Sequence, residues 1–171
     1  MERIQRTYAI PATRDAFLAA LASAELVRRR SEAVGLGTKV VTHDVGPESV
    51  RIVTAGEVPL DWLPGAITSR LSQAPTVERH EEWVRDGDGA RSPLTFAFAG
   101  LPVTCAGEAR LSPVGSGSGD GCRLDIELAV RVDVPLAGGL VERAVGPQVG
   151  RALDAEAAFY RTSVGLPPSD G

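Results

Sequence analysis

The chain has little of what metal-dependent, nucleic-acid-binding or membrane-spanning proteins require. Its 171 residues include only two histidines and two cysteines. His80-Glu81-Glu82 lacks the second histidine of a zinc-binding helix and falls on a predicted strand, where neighbouring side chains diverge. Asp86 and Asp88 begin like a calcium loop, but the remaining ligands are missing, so they read as hairpin turn residues. The loop Gly115-Ser116-Gly117-Ser118-Gly119 fits neither a nucleophile elbow nor a nucleotide-binding fingerprint. No catalytic residue, metal site or cofactor is therefore assigned.

Positive charge is also scarce. Lys39 is the single lysine among 18 basic residues, and the net charge is −4. Without a basic excess to neutralise phosphates, no nucleic-acid partner is expected. The only basic run is Arg28, Arg29 and Arg30 at the end of a predicted helix, which reads as a solvated face complementing the helix dipole. No apolar run approaches the roughly 18 residues of a membrane span. Met1 leads into a charged strand rather than a leader, so a cytoplasmic protein without an integral membrane segment is expected. The two cysteines do not pair on geometry. A hairpin around Pro113 to Gly121 sets Cys122 opposite a residue near Ser112, leaving Cys105 roughly 23 Å away along the ladder, beyond disulfide reach. Both read as reduced core thiols.

What is present is periodicity. Leu124, Ile126, Leu128, Val130, Val132 and Val134 alternate with Asp125, Glu127, Ala129, Arg131 and Asp133, the signature of a strand buried on one face. Pro135 ends it. Leu140, Val141, Ala144, Val145, Val149, Ala152, Leu153, Ala155 and Phe159 then recur at three- and four-residue steps, which predicts one long amphipathic helix. Pro147 lies inside it, and a kink near Gly146 is expected, either as simple curvature or as a hinge.

The earlier chain reads as strand Arg3 to Ile10, a helix capped by Thr13, and a helix Ala24 to Val34 ended by Gly35 and Gly37. Strands follow at Thr38 to Val45, Val50 to Val58, Thr76 to Arg85, Pro93 to Ala99 and Leu101 to Leu111, with Asp86-Gly87-Asp88-Gly89 as a strong turn signal. A short helix within Leu60 to Ala74 places Leu63, Ile67 and Leu71 on one face. Six consecutive strands at hairpin spacing imply an antiparallel sheet. The fold expected is α+β: a helix-grip arrangement with about seven strands curved around a long C-terminal helix and two short helices after the first strand.

Tyr8-Ala9-Ile10-Pro11-Ala12-Thr13 with Phe17 resembles the opening of START-like domains. Glu81-Glu82-Trp83 and Pro135-Leu136-Ala137-Gly138-Gly139-Leu140-Val141-Glu142 resemble an uncharacterised bacterial family within that superfamily, which includes polyketide cyclase/dehydrase, lipid-transport and Bet v 1-like (SRPBCC) proteins. The resemblance covers nearly the whole chain, as one domain over residues 1–165 with a disordered tail at 166–171. It implies a deep cavity between sheet and long helix that holds apolar or amphipathic small molecules. No catalytic residue carries over from it.

Strand parity supplies candidate lining residues independently. Phe96 and Phe98 should face inward on one strand, as should Cys105 and Gly107 on the next, where small side chains either let the helix pack closely or leave a pocket beneath it. Thr54 shares a face with Val50 and Ile52, and Leu128 lies on the buried face of the closing strand. Trp62 starts the short helix, and Val145 sits on the stripe of the long one. If Val77 and Trp83 face inward, parity brings Arg79 and Glu81 with them, and buried charges require pairing or solvation. The alternative is that a twist or bulge takes both to solvent. His43 shares parity with Val41 and Val45, either as a satisfied structural residue or as a base.

Three functions remain open. The first is binding or transport of a hydrophobic or amphipathic, lipid-like molecule. The second is an enzyme of the cyclase, dehydratase or hydrolase kind using His43 or Glu81 with Arg79. The third is a protein-interaction module with a filled core; a homodimer is counted among the partners left open.

Overall fold

The computed structural model describes residues 1–35, 39–115, 121–133 and 138–164. Strand β1 (Glu2–Ile10) is followed by helices α1 (Arg14–Ala22) and α2 (Ala24–Val34). Strands β2 (Lys39–Val45) and β3 (Ser49–Glu57) come next, then a 3-10 turn (Leu60–Trp62) and the one-turn helix α3 (Gly65–Thr68). Strands β4 (Thr76–Asp86), β5 (Gly89–Ala99), β6 (Val103–Pro113) and β7 (Cys122–Val132) lead to helix α4 (Gly138–Ser163). The expected stop at Pro135, the Gly-Ser loop beyond Gly115 and the 166–171 tail lie outside the described residues.

Local chemistry accounts for the boundaries. The Thr13 hydroxyl accepts from Ala16 N at 3.1 Å and that of Ser23 from Leu26 N at 3.3 Å, each satisfying an otherwise orphaned donor at a helix start. Gly35 closes α2 at φ 75°, a left-handed conformation that side chains disfavour. Asp86 pairs with Gly89 across the β4–β5 hairpin, as the turn motif predicts. Pro113 faces Cys122, within one residue of the expected register, and both cysteines are free and buried. The segment expected as one short helix divides instead into the 3-10 turn and α3. Pro64 sits at the α3 cap position with φ −57° and ψ 142°, extended backbone that interrupts helical continuity.

All seven strands form one antiparallel sheet in the order β1-β7-β6-β5-β4-β3-β2. Its registers align one row across every strand: Ile4, Leu128, Gly107, Leu94, Glu81, Ile52 and His43. Directly opposed residues share a face, so this row and its neighbours two residues away define the inner surface.

Helix α4 runs alongside β1. Tyr8 Oη donates to Asp154 Oδ1 at 2.7 Å, Arg6 Nε donates to the same oxygen at 3.3 Å, and Arg161 Nε reaches Ala9 O at 3.4 Å. β4 stands four strand positions from β1 in the sheet order. That is about 19 Å across a flat sheet. Arg79 on β4 nevertheless pairs with Glu156 on α4. The sheet must curl around the helix to bring them together, as the helix-grip expectation requires. α4 continues through Pro147 as one helix.

Candidate functional site

The inner face divides into two halves. Over β1, β7 and β6 it is closed by α4: Val130 is fully buried, and Cys105, Leu128 and Val145 are nearly so. Burial in this apolar setting raises the Cys105 thiol to about 12, which leaves it protonated and inert. Gly107 lies in the central row, but a Cβ built there would fall 1.8 Å from the Glu127 carbonyl oxygen on the neighbouring strand. The glycine is required for close approach of β6 and β7, and the space assigned to it by sequence is occupied by backbone. Cys105, Leu128 and Val145 therefore belong to the closed half, whereas Gly107 is exposed and borders an open groove beside Met1, Arg3 and Gln5.

The other half holds a cavity of about 60 Å³. Thr54, Val77, Arg79, Phe96 and Phe98 line it from β3, β4 and β5. Val58, Pro59 and Trp62 cover it from the segment after β3. Helix α2 contributes Arg30, Ser31 and Val34, and α4 contributes Val149, Ala152, Leu153 and Glu156. Of the residues singled out by sequence, Thr54, Trp62, Arg79, Phe96 and Phe98 meet here.

The deep wall is ionic. Strand parity holds through β4, so Arg79 and Glu81 point inward, and the alternative that takes both to solvent is overturned. Glu81 Oε1 accepts from Arg30 Nη2. Glu81 Oε2 accepts from Arg79 Nη2 at 3.0 Å and from Trp83 Nε1 at 3.1 Å. Glu156 Oε2 accepts from Arg79 Nη1, while Glu156 Oε1 accepts from Arg79 Nη2 at 3.1 Å and from Tyr160 Oη at 2.8 Å. Arg30 Nη1 donates to Tyr160 Oη at 2.9 Å and lies 3.7 Å from Glu156 Oε1. Two guanidiniums and two carboxylates thus meet with zero formal charge.

Arg30 corrects the sequence reading. Arg28 and Arg29 are exposed, but Arg30 is 2% exposed and forms the centre of the cluster rather than a solvated face. Glu156 and Tyr160 complete the cluster from α4. The available signal was positional: Glu156 occupies the buried stripe Val149, Leu153, Glu156, Tyr160, and Arg30 follows buried Val27 by three residues. Charges on a buried stripe need partners, and β4 carried two inward charges of opposite sign.

His43 does face inward, yet outside the cavity. Its Nε2 lies 2.8 Å from the Leu21 carbonyl oxygen, at the end of α1. Val41, expected to share its apolar environment, is exposed where the register slips between Val40 and Thr42, and Val45, in register with Val50, is exposed at the end of this edge strand. Trp83 is buried behind the cavity, where its indole N–H completes the Glu81 shell.

The electrostatics follow from this geometry. Burial by itself would raise both carboxyls. The Arg79 and Arg30 guanidiniums outweigh it, holding Glu156 down to about 2 and Glu81 below its ordinary value. Burial and the neighbouring carboxylates raise the Tyr160 phenol, although Arg30 opposes them, so it stays neutral. Glu81 is thus an ionised carboxylate whose two oxygens already accept three donors, which makes it a poor general base. Depressed folded-state values stabilise the fold fully above the unfolded carboxylate value of 4.5 and lose that contribution as pH falls towards about 2. The thermal midpoint is accordingly expected to stay level through neutral and mildly acidic pH and to drop steeply below 4.5. A Glu156→Gln variant should show a flatter acid limb in the same calorimetric series. An identical limb would remove Glu156 as its source.

Residues 5–164 match the family model described as "Protein of unknown function (DUF2505)", and the chain belongs to that family. Uncharacterized protein Rv0481c of Mycobacterium tuberculosis (strain H37Rv) is 29% identical over 113 residues, an alignment covering 65% of this chain and 63% of that protein. The chain therefore spans less than two thirds of the length of that relative. Human STARD10 superposes with TM-score 0.56 at 8% identity, covering 92% of this chain and 62% of that one. The Zhui aromatase/cyclase of Streptomyces sp. R1128 gives 0.54 at 11%, covering 93% of each chain. A START superfamily protein from Mycobacterium smegmatis gives 0.50 at 12%, covering 91% and 94%. The fold is START-like, and its neighbours include an enzyme. Among the described residues, no helix is long and apolar enough to cross a membrane.

Proposed function

We propose that this DUF2505 member binds a small, largely apolar molecule in the cavity between β3–β5, α2 and α4. The observation that carries the reading is the contrast within its lining. Val58, Trp62, Val77, Phe96, Phe98 and Leu153 make an apolar and aromatic chamber, while its polar groups are gathered at one wall. Buried ion clusters are weak contributors to stability compared with apolar packing, so their presence beside open space favours a recognition role.

A volume of about 60 Å³ accommodates a few waters. A larger ligand requires the covering segment to move, and the bonding allows this. Val58 N donates to Pro75 O at 2.8 Å and pinches the segment at its base. Between those points, the backbone bonds from Trp62, Leu63, Ile67, Thr68, Ser69, Arg70 and Leu71 all return to the segment itself. It can lift as a unit without breaking sheet hydrogen bonds. Fold neighbours that include human STARD10 and an aromatase/cyclase support a chamber of this kind without specifying its contents.

The test uses naphthalene and Ala152→Phe. Ala152 is half-buried on α4 and lines the cavity, so a phenyl group there fills it. Naphthalene should shift amide resonances of lining residues in the wild-type protein. In A152F its affinity should fall tenfold or more, equivalent to about 1.4 kcal/mol, with an unchanged or raised thermal midpoint. Undiminished affinity in A152F would move the site elsewhere. An absence of naphthalene binding to the wild-type protein would remove the proposal.

A further inference from the structure

The ionic wall presents one unused donor. Arg79 Nη1 and Nη2 are committed to Glu156 and Glu81, but Arg79 Nε is buried and has no hydrogen-bond partner among the described residues. A buried N–H without an acceptor costs about 1–3 kcal/mol, and more on a charged group. Arg79 lines the cavity, and its guanidinium carbon stands 5.8 Å from the centre of the Phe96 ring, which lines it too. The residue that carries the donor and an aromatic surface therefore border the same space.

The charge state of the wall restricts what can satisfy that donor. Arg30, Arg79, Glu81 and Glu156 cancel, and among the described residues they are the charged groups of the cavity lining and its direct ionic partners, with Tyr160 a neutral phenol beside them. An anionic ligand would add a net charge to a balanced, desolvated cluster and would lie near two carboxylates. A cation would face two guanidiniums. An uncharged acceptor adds one hydrogen bond and leaves the balance intact.

Resting on the cavity-binding reading above, we infer that the ligand is an uncharged molecule with an aromatic or alicyclic body bearing a carbonyl or ether oxygen, which accepts from Arg79 Nε while the body packs on Phe96. Arg79 is then the specificity-determining residue of the cavity, and Glu81 and Glu156 are its positioning residues.

Three probes of nearly equal shape separate the possibilities: acetophenone (neutral acceptor), ethylbenzene (no acceptor) and benzoate (anion). They are titrated into the wild-type protein and Arg79→Lys, with calorimetry and the Arg79 Nε–H resonance as readouts. Lysine keeps the positive charge for Glu81 and Glu156 but has no Nε donor, and its thermal midpoint confirms folding. Acetophenone should bind the wild-type protein about tenfold or more tightly than ethylbenzene, as expected for a hydrogen bond to a charged donor, and should shift the Nε–H resonance. In R79K the two affinities should converge. Equal binding of acetophenone and ethylbenzene to the wild-type protein would overturn the acceptor inference and leave cavity binding standing. Tightest binding by benzoate would overturn the neutrality argument. An unshifted Arg79 Nε–H resonance in the wild-type protein on acetophenone binding would exclude Arg79 Nε as the donor, whether or not the lysine ammonium of R79K retains a preference. Failure of all three probes, together with naphthalene, would instead bring down the cavity reading itself.

Discussion

Replacing Arg30 with methionine is expected to destabilise the protein by about 3–5 kcal/mol, because it strands one carboxylate of a closed ionic set in the core. Arg30 is 2% exposed and touches Glu81, Glu156 and Tyr160, which lie on β4 and α4, so its removal loosens three elements at once. Glu81→Gln should be costly for the opposite reason, leaving an excess of positive charge. The double variant R30M/E81Q restores zero net charge through Arg79 and Glu156. It should therefore lose less than the sum of the two single changes. Urea unfolding of the four proteins measures the coupling. Additive losses would mean that the cluster does not act as a charge-balanced unit. A loss below about 1 kcal/mol for R30M would place Arg30 among ordinary surface ion pairs.

Phe17→Ala should cost a similar amount, about 3–5 kcal/mol, without changing the charge of anything. Phe17 is fully buried, and its ring meets Trp83 edge-on at 5.1 Å and Tyr160 at 5.0 Å. Those two residues also hydrogen-bond to Glu81 and Glu156. The cavity left by the phenyl group would border the side of the cluster facing away from the ligand space. The unfolding midpoint should fall while the slope of the urea transition stays the same. A Phe17→Leu variant should recover most of the loss, since most of the volume is restored. Comparable instability in both variants would indicate that the edge-on aromatic contacts, rather than filled volume, hold this part of the core.

The two variants probe the same junction from its ionic and aromatic sides, and they show why the sequence revealed one side better than the other. Phe17 follows a capped helix start and recurs with Leu21 at helical spacing, a pattern that marks a buried face. Arg30 ends a run of three arginines whose first two members are exposed. Nothing within that run distinguishes the third. The distinction comes from the Val27 stripe and from carboxylates 51 and 126 residues away in sequence. The same limit applied to Glu156, which looks like ordinary helix polarity until β4 is placed opposite it.

The choice of open half was equally hidden. Period-two alternation put Thr54, Arg79, Glu81, Phe96, Cys105 and Leu128 on one face, because the face of a strand residue follows its parity. It could not show that α4 would close over Cys105 and Leu128 and stand away from Phe96 and Phe98. It also read Gly107 as empty space, when the absent side chain makes room for the Glu127 carbonyl of β7.

The sequence by itself determined the element order, the hairpin turns, the Thr13 and Gly35 helix boundaries and the inward face of each long strand, since all of these follow from interactions spanning a few residues. Only the tertiary structure decided the curl that carries β4 to α4, the meeting of Arg30, Arg79, Glu81 and Glu156, and the position of the cavity. Those depend on where one helix lies across seven strands. That placement comes from the summed packing of distant segments, to which no local period responds.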